Sequence, residues 1–273
     1  RNVACAGGRP SAVTNCLNFG NPERPEIMWQ FKRSVQGLGD ACRKLELPVT
    51  GGNVSLYNET DGQSIRPTPV VGVVGIIDDA DCVLQRVFRR SDALVMLLGA
   101  PIGNVALSAS EYLAEIHGLV RGMPPDVDFV LERKLQDLIV SLAADGLLDS
   151  AHDCAEGGLA VTVAECCFES GGIGVDVTIS GAQTSTADNA VDTATVLFGE
   201  AASQVIVSVV ESNENDVYER ARLLDVPVCV LGRTGGPRLR VAIGDTPVVD
   251  LPLEQAEKAW TNGLSNYFES LDA

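Results

Sequence analysis

PEIMWQFKRSVQGLGDACRKLELPVTGGNVSLY, residues 25–57, contains a change of period that decides the fold. In its first part Met28, Phe31, Val35, Leu38, Cys42 and Leu45 recur at alternating spacings of three and four, which predicts one face of a helix opened by Pro25 and closed near Leu47 and Pro48. Beyond Pro48 the pattern becomes that of a strand over residues 49–57, in which Asn53 and Ser55 share one face while Val54 and Leu56 share the other. Working outward, residues 11–14 read as a strand before the helix, and residues 68–77 as a strand after the polar link 58–66. This last segment is apolar at nearly every position, which predicts a strand covered on both faces. Strand, helix, strand, strand is a mixed α/β order.

Between residues 78 and 91 the composition turns to clustered aspartate and then to Arg86, Arg89 and Arg90, which places a boundary there. We expect a first domain over residues 1–85 and a second over 92–273. The second opens with a strand at 93–99, followed by helices near 111–117 and 128–146, the latter with Val130, Leu131, Leu135, Leu138, Ile139 and Leu142 inward. A short strand at 150–153 leads through Gly157 and Gly158 into a helix reaching Phe168. Strands are then expected at 174–179, 204–210, 226–231 and 239–242, and helices at 213–224 and 253–271. Residues 181–192, rich in Ser, Thr, Ala and Asp, read as a mobile surface loop.

Two hundred and seventy-three residues with 45% apolar and 21% charged side chains can bury a globular core in one or two domains. Thirty-seven acidic against twenty basic residues leave a net charge of −17, and the basic ones do not cluster, which argues against nucleic acid and anionic membranes as partners. Nucleotides stay open, because a divalent cation can bridge protein oxygens and phosphates. The eight cysteines form no Cys-x-x-Cys pair, and the two histidines lack zinc-ligand spacing from them, so reduced thiols in a cytoplasmic protein are expected. Residues 2–8 read as the tail of a helix closing on glycine, which suggests a piece of a longer chain.

The stretch from Thr50 to Glu59 is the richest in chemistry. Gly51 and Gly52 remove bulk before the strand, so a phosphate or ribose could approach the backbone; Asn53 offers a carbonyl oxygen to a cation, and Ser55 a hydroxyl to a substrate. A glycine turn with a wet edge strand explains the same residues, and the spacing is not that of a Gly-rich lysine loop. Asn15 and Asn18 stand where the earlier strand runs into the turn Gly20-Asn21-Pro22, as turn-forming amides or as part of a shared rim with the Gly52 strand.

Thr-Asn-Cys-Leu-Asn-Phe-Gly-Asn-Pro-Glu at 14–23, Gly-Gly-Asn-Val-Ser-Leu-Tyr-Asn-Glu at 51–59, Pro-Thr-Pro-Val-Val-Gly at 67–72 and Ser-Ala-His-Asp-Cys-Ala-Glu-Gly-Gly-Leu-Ala at 150–160 together resemble the C-terminal half of the phosphoribosylformylglycinamidine synthase family, within the aminoimidazole ribonucleotide synthetase superfamily. The resemblance runs from Arg1 to the region of Trp260. It implies an α/β chain with a truncated, sheet-forming N-type synthetase domain followed by a larger α/β C-type domain.

The activity implied is ATP-dependent conversion of formylglycinamide ribonucleotide to its amidine in purine biosynthesis, with ammonia from a glutaminase subunit. ATP and Mg2+ are the implied cofactors. Carried over by position, Gly52 and Asn15 contact ATP, Asn53 ligates magnesium and Ser55 contacts the ribonucleotide. Asn15 stands where family members can carry aspartate. The family's catalytic histidines lie in the missing N-terminal half, so no catalytic residue is assigned to this chain, the isolated chain is expected to be inactive, and its partners would be that half and the glutaminase. His152 reads as a structural hydrogen-bonder, and Gly157 with Gly158 either as an anion site or as a close-packing device. Departures at 107–112, Ala201 and Gln204 make the second domain mainly architectural. The alternative is a non-catalytic scaffold or structural nucleotide-binding half. Sheet surface left uncovered by truncation would favour self-association, with a homodimer as the candidate form.

Overall fold

The computed structural model describes residues 1–180, 184–185, 189–190 and 193–271. Its chain falls into two units, Gly8–Asp78 and, separately, Arg1–Gly7 with Asp79–Ala273. The short helix α1 (Asn2–Cys5) belongs to the larger unit although sequence placed it at the head of the first domain. The reason is burial: Ala4 and Cys5 are enclosed, and Cys5 sits in one core with Leu138, Leu142 and Leu148.

In the smaller unit β1 (Arg9–Asn18), α2 (Pro25–Lys44) and β2 (Val49–Ser55) form a strand, helix, parallel strand. A minimal hairpin, β3 (Glu59–Thr60) with β4 (Gln63–Ser64), precedes β5 (Thr68–Ile76), which returns antiparallel to β1. The sheet order is β2-β1-β5. Its core is small, with Leu17, Phe19 and Ile27 buried and Phe31 and Leu56 packed against them.

Two expectations are corrected here. The helix buries Ile27 and packs Phe31 on the core, with Leu38, Cys42 and Leu45 half-buried as the spacing predicts, whereas Met28 and Val35 of the expected stripe are exposed, so the inward face is shifted slightly toward Ile27. Strand β5 is not covered on both faces: Val70, Val71, Val73, Val74 and Ile76 are 41–61% exposed. It lies at the edge of a three-stranded sheet that has too few layers to enclose it.

The larger unit is built on a seven-stranded sheet. Its strands are β6 (Leu94–Gly99), β7 (Ser150–Asp153), β8 (Val175–Ile179), β11 (Gln204–Val209), β12 (Val228–Thr234), β13 (Arg238–Ile243) and β14 (Thr246–Pro252), in the order β14-β13-β8-β12-β6-β11-β7. A separate two-stranded pair, β9 (Thr184–Ser185) with β10 (Asn189–Ala190), falls in the stretch 181–192; the remainder of that expected loop lies outside the described residues.

Six consecutive buried residues make β6 the centre of the unit. Leu94, Met96 and Leu98 point to one side, where α4 (Phe129–Ala144) supplies Leu135, Leu138, Ile139 and Leu142, and α7 (Glu214–Leu224) supplies Val217 and Ala221. Val95 and Leu97 point to the other, against Leu159, Val163, Cys166 and Cys167 of α5 (Gly158–Cys167) and Val196 and Leu197 of α6 (Thr193–Phe198). The unit is thus helix, sheet, helix in layers.

Helix α3 (Glu111–His117) is capped by Ser110, and α4 by Asp128, whose carboxylate accepts from the amides of Val130 and Leu131. Val130 itself is exposed, contrary to the expected inward face. The last helix divides at Asn262 into α8 (Leu253–Thr261) and α9 (Gly263–Leu271), and α6 and β14 were not foreseen. No helix among the described residues is long and apolar enough to cross a membrane.

Candidate functional site

Parallel pairing of β1 with β2 brings the sequence-selected residues side by side: Asn15 lies beside Gly52, Cys16 beside Asn53 and Asn18 beside Ser55. Alternation then divides them between two faces. Asn15 and Gly52 share the side of buried Leu17, and a Cβ built on Gly52 would meet Asn15 Oδ1 at 2.6 Å and its carbonyl oxygen at 2.8 Å. Glycine at 52 is therefore demanded by the Asn15 contact. Asn53 and Ser55 point to the opposite face with Cys16 and Asn18. Asn15 does not join them there.

On that second face Asn53 is exposed, and its Nδ2 donates to Cys16 Sγ at 3.8 Å. Asn18 Nδ2 lies 3.6 Å from the same sulfur and 3.4 Å from the Thr68 carbonyl oxygen. Ser55 Oγ donates to Asn58 Oδ1 at 3.1 Å, and Asn58 Nδ2 in turn donates to the carbonyl oxygens of Phe19 and Ser55 at 3.0 and 2.9 Å. Asn58 thereby fixes the turn after β2 and orients the Ser55 hydroxyl. Sequence reading missed both Cys16 and Asn58: only lateral register shows that Cys16 touches Asn53, whereas Asn58 lies three residues beyond Ser55, where a turn-forming asparagine was the local signal that could have found it.

Among the described residues no cluster of three or more His, Cys, Asp or Glu side chains could hold a metal. Asn53 Oδ1 is a hard, neutral oxygen with no hydrogen bond from the protein among the described residues, so it suits magnesium as one ligand among several. No carboxylate shares the face of Asn53 on β1 and β2. A cation held here would draw its remaining oxygens from phosphate and water.

In the larger unit His152 Nε2 is 2.8 Å from Glu165 Oε2, joining β7 to α5. The hydrogen bond from His152 holds the Glu165 carboxyl below its ordinary range against the opposing effect of burial. Arg1 reaches Glu132 at 3.1 Å and Asp153 at 3.4 Å, and Glu132 also accepts from Ser203 at 2.7 Å and from Gln136 at 2.9 Å. Burial works to raise the Glu132 pKa, but Arg1 and these hydrogen bonds hold it below the usual value.

The open question at Gly157 and Gly158 is answered by packing. Gly158 has φ +65°, and a Cβ there would meet the Gly199 carbonyl oxygen at 2.5 Å. Glu200 Oε1 accepts from the amides of both Gly157 and Glu111 at 2.9 Å, so the protein's own carboxylate fills this helix start. Gln204, a departure from the family pattern, is buried and donates to the Ala100 carbonyl oxygen at 3.0 Å. All eight cysteines are free thiols; burial pushes Cys154 and Cys167 up to about 12 and raises Cys5 and Cys166 as well.

Comparison with known proteins places these features in a family. Residues 1–77 match the family model described as AIR synthase related protein, N-terminal domain, and residues 89–244 match its C-terminal domain. Phosphoribosylformylglycinamidine synthase subunit PurL from Thermomicrobium roseum is 47% identical over 264 residues, and that from Anaeromyxobacter dehalogenans 43% over 270 residues. Each alignment covers 97% of this chain and 34% of the relative, so the chain spans about a third of their length.

Among solved structures, T. maritima PurL complexed with FGAR superposes with a TM-score of 0.72 at 18% identity, covering 94% of this chain and 41% of that one. T. maritima PurL complexed with ATP gives 0.69 at 17% identity, covering 93% and 39%. At such identities the likeness is one of fold. With both domain patterns present in order, and the C-terminal one alone spanning more than half of its residues, this chain belongs to the AIR synthase related family.

Proposed function

We propose that this chain supplies the second, C-terminal part of an ATP-dependent ligase that converts formylglycinamide ribonucleotide to the corresponding amidine with glutamine-derived ammonia. Support comes from the 43–47% identity to PurL relatives. The structural observation that carries the reading is Asn53, exposed on β2, whose side-chain oxygen has no protein donor among the described residues and which shares its face with the oriented Ser55 hydroxyl.

In this reading the substrate's amide oxygen attacks the γ-phosphorus of ATP, the bond to the β–γ bridging oxygen breaks and ADP leaves. Ammonia then adds to the activated carbon, inorganic phosphate departs, and proton loss gives the amidine. Magnesium would neutralise phosphate charge during the transfer. Asn53 would hold that cation through Oδ1, and Ser55 would hold the ribonucleotide by its hydroxyl. Gly52 and Asn15 lie on the face opposite Asn53, so in this reading ATP would meet them at the β2 edge of the sheet, through the Gly52 backbone and the neutral Asn15 amide. No side chain of this chain is assigned a proton transfer, so the isolated chain is inactive in this reading. It works in the cytoplasm with the remainder of the relatives' length and a glutaminase subunit.

ADP release, with MgATP, ammonia and formylglycinamide ribonucleotide, tests the reading on this chain alone and joined to that remainder. Turnover in the joined form only, lowered at least about tenfold by Ser55→Ala and by Asn53→Ala, is expected. A second reading, a structural nucleotide-binding half, is favoured by the absence of a carboxylate on the Asn53 face of β1 and β2. Unchanged turnover in Asn53→Ala with intact assembly would select it.

A further inference from the structure

Cys16 receives both asparagine amides of the exposed face. Its Sγ lies 3.8 Å from Asn53 Nδ2 and 3.6 Å from Asn18 Nδ2, with Asn18 Oδ1 at 4.0 Å as acceptor for the S–H. The two ends of an asparagine amide have nearly the same shape and opposite polarity, and the terminal torsion is broad and roughly two-fold. A partner for one end therefore decides which end faces outward. The bond to Cys16 is the hydrogen bond that the Asn53 side chain makes among the described residues. It turns Nδ2 inward along the sheet and leaves Oδ1 outward.

We propose that Cys16 is a positioning residue whose sulfur holds the Asn53 amide with its oxygen, and not its NH2 group, toward a divalent cation. This rests on the reading of Asn53 given under Proposed function and adds a cause for its orientation. A thiol suits the task because it is a weak acceptor for the amide yet a soft ligand that does not compete for a hard cation. A carboxylate at 16 would take the cation itself. Asn18 is held differently: its Nδ2 also reaches the carbonyl oxygens of Cys16 and Thr68, both at 3.4 Å, and its Oδ1 faces the thiol. Of the two amides, Asn53 is the one with its oxygen outward.

The test is titration of Mn2+, with ATP present, into the full-length protein, read from the paramagnetic resonance of the unbound ion. Wild type, Asn53→Ala, Cys16→Ala and Cys16→Ser are compared after thermal melts establish that each is folded. Asn53→Ala should lose one bound Mn2+. Cys16→Ala should weaken the same site about 3- to 10-fold, and Cys16→Ser, which keeps an acceptor, should stay within about twofold of wild type. Wild-type affinity in Cys16→Ala, with Asn53→Ala impaired, overturns the positioning role and leaves the reading of Asn53 standing. Equal losses in Cys16→Ala and Cys16→Ser overturn it too, since the acceptor would then not be what matters. Wild-type binding in Asn53→Ala removes Asn53 as a ligand and the inference with it.

Discussion

The His152–Glu165 contact shows how one residue couples stability to pH. Glu165 has its carboxyl pKa lowered in the folded protein by the hydrogen bond from His152, from an ordinary value of 4.5. A lowered carboxylate pKa contributes stability at pH above the unfolded value, and that contribution drains away as pH falls through the lowered folded value. With Glu165 partly exposed, the effect is discounted to about 1 kcal/mol. Glu165→Gln should therefore lower the urea midpoint at pH 7. The gap to wild type should close as pH is brought below about 4.5. A constant gap down to pH 3 would assign the stabilisation to packing. None of this was legible in sequence, where His152 carried only the expectation of a structural hydrogen-bonder and its partner lay thirteen residues away on α5. Asn53 and Ser55 were legible because strand alternation is a local property. Cys16 depends on which residue of β1 lies alongside β2, and no local period encodes that, whereas Asn58, three residues beyond Ser55, is a local turn residue whose role the strand pattern does not reveal.

At the scale of elements, the central strand and α4 could be read because their burial is uniform or strictly periodic: β6 is buried at all six positions, and Leu135, Leu138, Ile139 and Leu142 hold one face. Strand β14 escaped because Pro247, Asp250 and Pro252 interrupt its apolar pattern while it pairs only with β13 at the sheet edge. Most of the α2 stripe was legible, and its edge at Met28 and Val35 is exposed because the unit's core is too small to bury all of it. Between elements, Glu200 ties the start of α3 to the start of α5 by one oxygen. Glu200→Ala leaves two N-terminal amides without their acceptor and should cost about 1–2 kcal/mol, as loss of a helix cap does. The corresponding local observation is faster hydrogen exchange at Glu111 and Gly157, with the amides of β6 unchanged. Uniform acceleration through β6 would mean that Glu200 supports the whole sheet.

For the whole molecule the deciding balance is between charge and uncovered apolar surface. A net charge of −17 keeps copies apart, while β5 exposes Val70, Val71, Val73, Val74 and Ile76 at one edge of a sheet whose other edge, β2, also exposes Val49 and Val54. Exposed apolar strands with unpaired backbone edges favour association, and their natural cover in this reading is the part of the relatives' length that lies outside this chain. Without that cover, copies of this chain should associate with one another. Salt decides which term wins, because at about 0.15 M the Debye length is only about 8 Å and long-range repulsion fades, whereas apolar attraction does not. Sedimentation velocity should therefore show weight-average mass rising with concentration, and rising further as salt is increased. Val74→Lys together with Ile76→Lys should return the profile toward monomer while shifting the urea midpoint little, since both side chains are already in solvent. Adding the remaining two thirds of the relatives' chain should do the same by occupying the sheet. A monomer at every concentration and salt level would mean that the exposed strand is guarded by charge alone.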